Sequence, residues 1–134
     1  WATPLTVTLT KPGDPLPSYT YLVTTDTSGN TTLSNLVPGT YHVAVKNIRS
    51  LRVMVPNKVI LSGSNPTLAM GLLREGDTNN DNIVNLTDFS LLSATYGKCS
   101  GAAGYDDRAD FNRDTCVTIS DFSLLSSNYL KVGS

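Results

Sequence analysis

The strongest constraint on this chain is a segment that occurs twice: Asp77–Lys98 and Asp110–Lys131 lie 33 positions apart and agree at twelve of 22 positions. The shared positions include Asp77/Asp110, Asn79/Asn112, Asp81/Asp114, Asp88/Asp121 and the run Asp-Phe-Ser-Leu-Leu-Ser. Each copy opens with oxygen-bearing side chains at alternate positions. Each then shows apolar residues at i, i+3 and i+7: Phe89, Leu92, Tyr96, and Phe122, Leu125, Tyr129. That spacing is one face of a helix. A duplicated loop–helix unit is therefore expected, with Gly97–Asp107, rich in Gly, Ala and Ser, as the connecting loop.

The loop spacing implies a chemistry. Calcium takes six to eight hard oxygen ligands in an adaptable geometry. Positions 1, 3 and 5 of each loop supply Asp77, Asn79, Asp81 and Asp110, Asn112, Asp114. Position 7 supplies a backbone carbonyl, from Ile83 and Cys116. Position 9, Asn85 and Thr118, ligates directly or through water. Position 12, Asp88 and Asp121, adds a carboxylate in the first helical turn, where the helix N-terminus favours negative charge. Two Ca2+ sites are expected. Charge agrees with this: residues 75–134 hold four Lys/Arg and nine Asp/Glu, a net of −5, whereas residues 1–74 hold six Lys/Arg and two Asp, a net of +4. Two divalent cations would bring the acidic half back to −1. The chain as a whole, at −1, gives no case for nucleic acid or an anionic membrane as partner.

Each loop resembles the EF-hand loop, with three departures. Position 6 is Asn82 or Thr115 instead of Gly, position 12 is Asp instead of Glu, and no amphipathic helix precedes either loop. Asn tolerates a left-handed backbone and β-branched Thr does so badly, so the second site is expected to be the weaker. In this form, one loop and one helix twice over, residues 75–132 resemble the type I dockerin domain. The resemblance implies a calcium-dependent protein–protein contact with a cohesin-like partner, made by a helix face. It places the contacts at Leu86, Thr87, Ser93 and Ala94, and at Ile119, Ser120, Ser126 and Ser127. The internal similarity would allow two docking orientations.

Residues 1–74 change period. Leu5, Val7 and Leu9 alternate with threonines, and similar runs follow at Tyr19–Val23, near Thr32, at Tyr41–Val45, Leu51–Val55, Val59–Leu61 and Leu68–Leu72. Turn signals separate them at Lys11–Pro17, Asp26–Asn30, Leu36–Gly39, Pro56-Asn57 and Ser62–Pro66. About seven short strands predict a sandwich. The run Gly29–Val45, with its Leu-Val-Pro-Gly-Thr-Tyr turn, resembles the prealbumin-like sandwiches of CnaB-type and carboxypeptidase-regulatory-like domains. Those serve as spacers, stalks or adhesive modules. Some CnaB domains form a Lys–Asn isopeptide beside a buried acid; residues 1–74 hold no Glu, and Asp14 and Asp26 fall in turns, so none is expected here. The expected fold is two small domains: an all-β seven-stranded prealbumin-like sandwich over 1–74 and an α module of two EF-hand-like calcium loop–helix repeats over 75–134.

Cys99 and Cys116 have two readings. In an oxidising compartment they staple the connecting loop to the second repeat, worth roughly 3 kcal/mol in the chain-entropy model. Otherwise they are partly buried thiols. With one distant His they leave too few ligands for a zinc site. His42 has no nucleophile or acid near it in sequence, no nucleophile elbow is present, and nothing points to an enzyme. No run reaches the 18 apolar residues of a membrane span. The start at Trp1 reads as a mature product or an excised fragment, secreted or at the cell surface of a prokaryote. The leading function is an assembly module with the sandwich as spacer. A self-assembling filament or surface-layer subunit, pairing through strand Leu5–Thr10, is one alternative; the tail of a larger secreted glycosidase is another.

Overall fold

The structure is a computed structural model that describes residues 2–63 and 66–134. Trp1 and the centre of the Ser62–Pro66 turn lie outside the described residues. The chain divides into two compact units. The first takes the residues up to Asn47, Arg52–Leu72 and Ser134; the second takes Ile48–Leu51 and Leu73–Gly133.

The first unit is one antiparallel sheet of four strands: β1 Pro4–Thr10, β2 Tyr19–Thr24, β3 Gly39–Lys46 and β4 Val53–Ile60, in the order β2-β1-β3-β4. Period-two alternation builds its core. Leu5, Val7 and Leu9 face one way and are buried, with Tyr41, Val43 and Val45 beside them. The register sets Val7 against Tyr21 and Val45, and Leu9 against Tyr19 and Val43. Tyr19 and Tyr41 meet edge to face at 6.0 Å, a favoured geometry for rings of this kind.

Seven strands were expected, and the described residues form four. The run near Thr32 and the run Leu68–Leu72 carry no ladder and are irregular. The alternation there is too short and too interrupted by Gly, Pro and Asn to find a partner strand. Pro56-Asn57 was expected to end a strand, and β4 instead runs through it. Tyr41 pairs with Lys58 and Val43 with Val55, so His42 alone faces both Pro56 and Asn57. This is a β-bulge on the outer strand, where a proline lacking an N–H is tolerated. Asn57 takes the left-handed conformation (φ 54°) and donates its N–H to His42 Nδ1 at 3.2 Å. The filament alternative has β1 pair with a neighbour's sheet. It lies inside the sheet with β2 and β3 on its two sides, so that route to a filament is closed.

The second unit holds α1 Leu86–Thr95, a short 3-10 turn Asp107–Ala109 and α2 Ile119–Ser127. Its core is Leu51, Val84, Leu92, Ala109, Phe111, Val117 and Leu125, with Tyr105, Phe122 and Leu124 packed against it. Leu51, expected in a strand of the first unit, belongs to this core. Its segment pairs with the chain entering the first loop: Leu51 N–H donates to Arg74 O at 2.8 Å, and Gly76 and Asp77 N–H donate to Arg49 O at 3.0 and 2.9 Å. Gly76 is required there. Its φ is +128°, and a Cβ would sit 3.2 Å from both Val84 methyls and 3.3 Å from Leu125 Cα.

Candidate metal loops and helix face

The two repeats are bonded alike, residue by residue. Asp88, at N3 of α1, accepts from Thr78 and Asn79 N–H (2.8 and 3.2 Å) on one oxygen and from Asn85 N–H (2.8 Å) on the other. Asp121 does the same in α2 with Phe111, Asn112 and Thr118 (2.8, 3.2 and 2.8 Å). Asp77 accepts from Asp81 and Asn82 N–H, and Asp110 from Asp114 and Thr115 N–H. Asn79 and Asn112 each donate a side-chain N–H to the carboxylate two residues on, Asp81 or Asp114, at 2.8 Å. Asp81 and Asp114 then accept from Ile83 and Cys116 N–H. The loop folds because each carboxylate gathers backbone amides that no helix or strand would satisfy.

Asn85 and Thr118 are the N-caps of the two helices. They close a capping box with Asp88 and Asp121 and accept from Thr87 and Ser120 N–H at 2.7 and 3.3 Å. Their side-chain oxygens are thus turned to the helix. Positions 4 and 6 of both loops are left-handed: Asn80 and Asn82 (φ 64° and 70°), Arg113 and Thr115 (φ 60° and 76°). These turns wrap the loop around its carboxylates.

Asp77, Asp88 and Asp121 are fully buried, and Asp110 is 3% exposed. Burial pushes the Asp88 carboxyl above its ordinary range; amides from Asn85, Asn79 and Thr78 pull it down, and the neighbouring Asp77 charge pushes it up. Two carboxylates buried side by side call for a cation. The donor set is all oxygen, from Asp, Asn and carbonyls, which suits a hard cation such as calcium. Among the described residues no three His, Cys, Asp or Glu side chains converge as a group, so a bound ion would draw on Asn and carbonyl oxygens as well. Tyr105 donates its hydroxyl to Asp110 at 2.8 Å, and burial with that bond pushes its hydroxyl up to about 12. Sequence reasoning missed Tyr105, which lies in the connecting loop with no periodic signal.

Cys99 and Cys116 form a disulfide. It joins the connecting loop to position 7 of the second loop.

Leu92 and Leu125 are buried as the helical spacing predicted, while Phe89 and Tyr96 are not. Phe89 meets Phe122 edge to face at 6.0 Å between the helices. Two shallow grooves flank this ring pair. One is lined by Phe89, Leu92, Ser93, Tyr96, Ile119 and Phe122. The other is lined by Leu86, Phe89, Phe122, Leu125, Ser126 and Tyr129. Adding or subtracting 33 converts one set into the other. Leu86, Thr87, Ser93, Ala94, Ile119, Ser120, Ser126 and Ser127 are all exposed.

One flank position breaks the equivalence at a cost. Gly97, after α1, is left-handed at φ 76°, and its counterpart after α2 is Leu130 at φ 63°. Leu130 is 73% exposed, so it loses little packing on truncation. A left-handed leucine costs roughly 1–2 kcal/mol, part of which glycine's greater freedom in the unfolded chain takes back. Leu130→Gly is expected to stabilise the second unit by about 0.5–1 kcal/mol, read as a rise of a few degrees in thermal unfolding. An unchanged or lower midpoint would contradict it.

Two loop–helix repeats with carboxylate-rich loops and an exposed helix face define a duplicated acidic-loop module. Residues 75–131 match the model of the dockerin type I domain, and this segment is a dockerin type I domain. Dockerin domains bind calcium and are assembly domains, not catalytic ones. The whole chain shares its fold with solved chains at low identity. A chain of a C-terminal interface mutant of a type II Cohesin-X-Dockerin complex from Acetivibrio cellulolyticus matches at TM-score 0.77 and 22% identity, over 98% of this chain and 83% of that one. A chain of an N-terminal interface mutant of a type II complex from the same organism matches at TM-score 0.67 and 23% identity, with the same coverage. No curated protein matches the chain.

Proposed function

We propose that this chain is a calcium-dependent assembly module that docks a cohesin through the exposed face of α1 and α2. The observation that carries the reading is the internal equivalence of the helix face: two apolar grooves lined by equivalent positions of the two repeats, alike except for Ile119 in place of Leu86, on either side of Phe89–Phe122, on a dockerin type I segment. The proposed contact residues are Leu86, Thr87, Ser93 and Ala94 on one repeat and Ile119, Ser120, Ser126 and Ser127 on the other. The equivalence allows two docking orientations.

Each loop is proposed to hold one Ca2+ in an EF-hand-like manner. The ligands are Asp77, Asn79, Asp81, the Ile83 carbonyl and Asp88 in the first loop. They are Asp110, Asn112, Asp114, the Cys116 carbonyl and Asp121 in the second. Asn85 and Thr118, already capping their helices, contribute through water. The ion neutralises carboxylates that would otherwise repel one another and so fixes the helix face.

The β unit, residues 1–74 in this division, is proposed as a spacer beside the dockerin over 75–134. The structural neighbours' titles name Cohesin-X-Dockerin complexes, and an X element named together with a dockerin supports this reading. The setting that fits is extracellular or cell-surface. Among the described residues no helix is long and apolar enough to cross a membrane.

The test is surface-based binding of the chain to immobilised type I and type II cohesins, with calcium and with a chelator. Binding to at least one type, abolished by chelation and restored by calcium, is expected. Calcium-independent binding, or none to either type, would defeat the proposal.

A further inference from the structure

The repeats differ in one covalent respect. On the first flank, Leu130 N–H donates to Val84 O, Val84 N–H to Lys131 O and Gly133 N–H to Asn82 O, at 2.8, 2.9 and 3.0 Å. On the second, Gly97 N–H donates to Val117 O, Val117 N–H to Lys98 O and Ser100 N–H to Thr115 O, at 2.8, 2.8 and 2.7 Å. The isolated bridge Ile83–Val132 on one flank corresponds to Cys99–Cys116 on the other, and only the second is cross-linked. The cross-linked flank is the one with a threonine at loop position 6.

We infer that the Cys99–Cys116 disulfide is a positioning device for the second calcium loop, holding Thr115 in the left-handed conformation that the loop requires. This rests on the calcium reading above. Thr115 at φ 76° is a β-branched residue in a region such residues avoid, whereas Asn82 at φ 70° is at ease there. The strained residue is bracketed by the link. Its carbonyl accepts from Ser100, next to Cys99, and its own neighbour is Cys116.

Thr115 N–H holds Asp110 at 3.0 Å and Cys116 N–H holds Asp114 at 3.0 Å. If Thr115 relaxed to a negative φ, both carboxylates would lose an amide and the Cys116 carbonyl would turn away. The cross-link limits that relaxation by removing open conformations from the competing ensemble. Cys99 is exposed and Cys116 half-buried, so the bond lies within reach of a solvent reductant.

The experiment is calorimetric calcium titration of the full chain with native mass measurement, oxidised and after dithiothreitol. The dithiol supplies two electrons and two protons, is itself oxidised to a cyclic disulfide, and leaves two thiols. Two ions bound with one step weakened about tenfold or more on reduction, about 1.4 kcal/mol per tenfold, is the expected result. Thr115→Gly, which removes the strain, is the control for a merely structural role: in that variant reduction is expected to change the weaker step by less than about threefold, since 0.6–0.7 kcal/mol is all that such a factor represents.

Equal weakening of both steps, no weakening, or full sensitivity persisting in Thr115→Gly would overturn the inference and leave the calcium reading standing. Unfolding of the reduced chain in both backgrounds, read by far-ultraviolet dichroism, would overturn it too. No calcium bound to the oxidised chain would overturn both.

Discussion

Chelating calcium from the loaded chain is expected to lower the melting temperature of the dockerin segment by about 15–30 °C. The figure follows from linkage. A ligand at about 1,000 times its dissociation constant stabilises the state that binds it by roughly 4 kcal/mol. In a unit of roughly 60 residues, each kcal/mol moves the midpoint by about 4–8 °C. The second unit has little else to hold its loops. Its apolar core is a handful of side chains from Leu51 to Leu125, and Asp77, Asp88, Asp110 and Asp121 are buried among them or beside them. Without a cation, those carboxylates keep their amide bonds but repel one another in a poorly solvated place. The four-stranded sheet uses no carboxylate in its core and is expected to melt independently of calcium. Calorimetry would then show one transition that moves and one that does not. A dockerin transition unmoved by chelator would remove calcium from the account of this fold.

What the sequence disclosed was local. The loops and helices were legible because the 33-residue repeat doubles every signal: Asp88 and Asp121 confirm each other as helix starts, and Leu92 and Leu125 as core. The cores themselves were less legible. Leu51 alternates with Val53 and Val55, and alternation cannot say that a residue leaves the sheet for another core. Pro56 reads as a stop because the bulge that tolerates it in β4 exists only relative to the strand paired with it, and the single residue opposite, His42, lies well upstream in the chain. Thr32 and Leu68–Leu72 had the pattern of strands without a neighbour to pair with. Phe89 and Tyr96 shared a helical face with Leu92 but stayed partly exposed, because helices of nine and ten residues bury only a narrow seam. That same exposure leaves the apolar grooves open to a partner.

Replacing Leu86 by Arg is expected to weaken cohesin binding by only about twofold, and Ile119→Arg by the same factor, while the two together weaken it by about 30- to 1,000-fold. The asymmetry between single and double substitution comes from the equivalence of the grooves. Leu86 is 63% exposed and Ile119 62%, and each stands at the first position of its helix. If a partner can dock on either repeat, damage to one repeat removes one of two equal poses. The association constant halves, and the surviving pose is untouched. Damage to both exposes every pose to the cost of an arginine in an apolar contact. An anchoring residue of this kind is worth roughly 2–4 kcal/mol, which gives the larger factor at 1.4 kcal/mol per tenfold. Both side chains are exposed in the structure, so the variants are expected to fold and melt as the parent does, which dichroism would check. Titration calorimetry with each variant separates the possibilities. A single substitution that abolishes binding would mean one pose and a specialised repeat. A double variant that still binds tightly would place the contact away from the helix face.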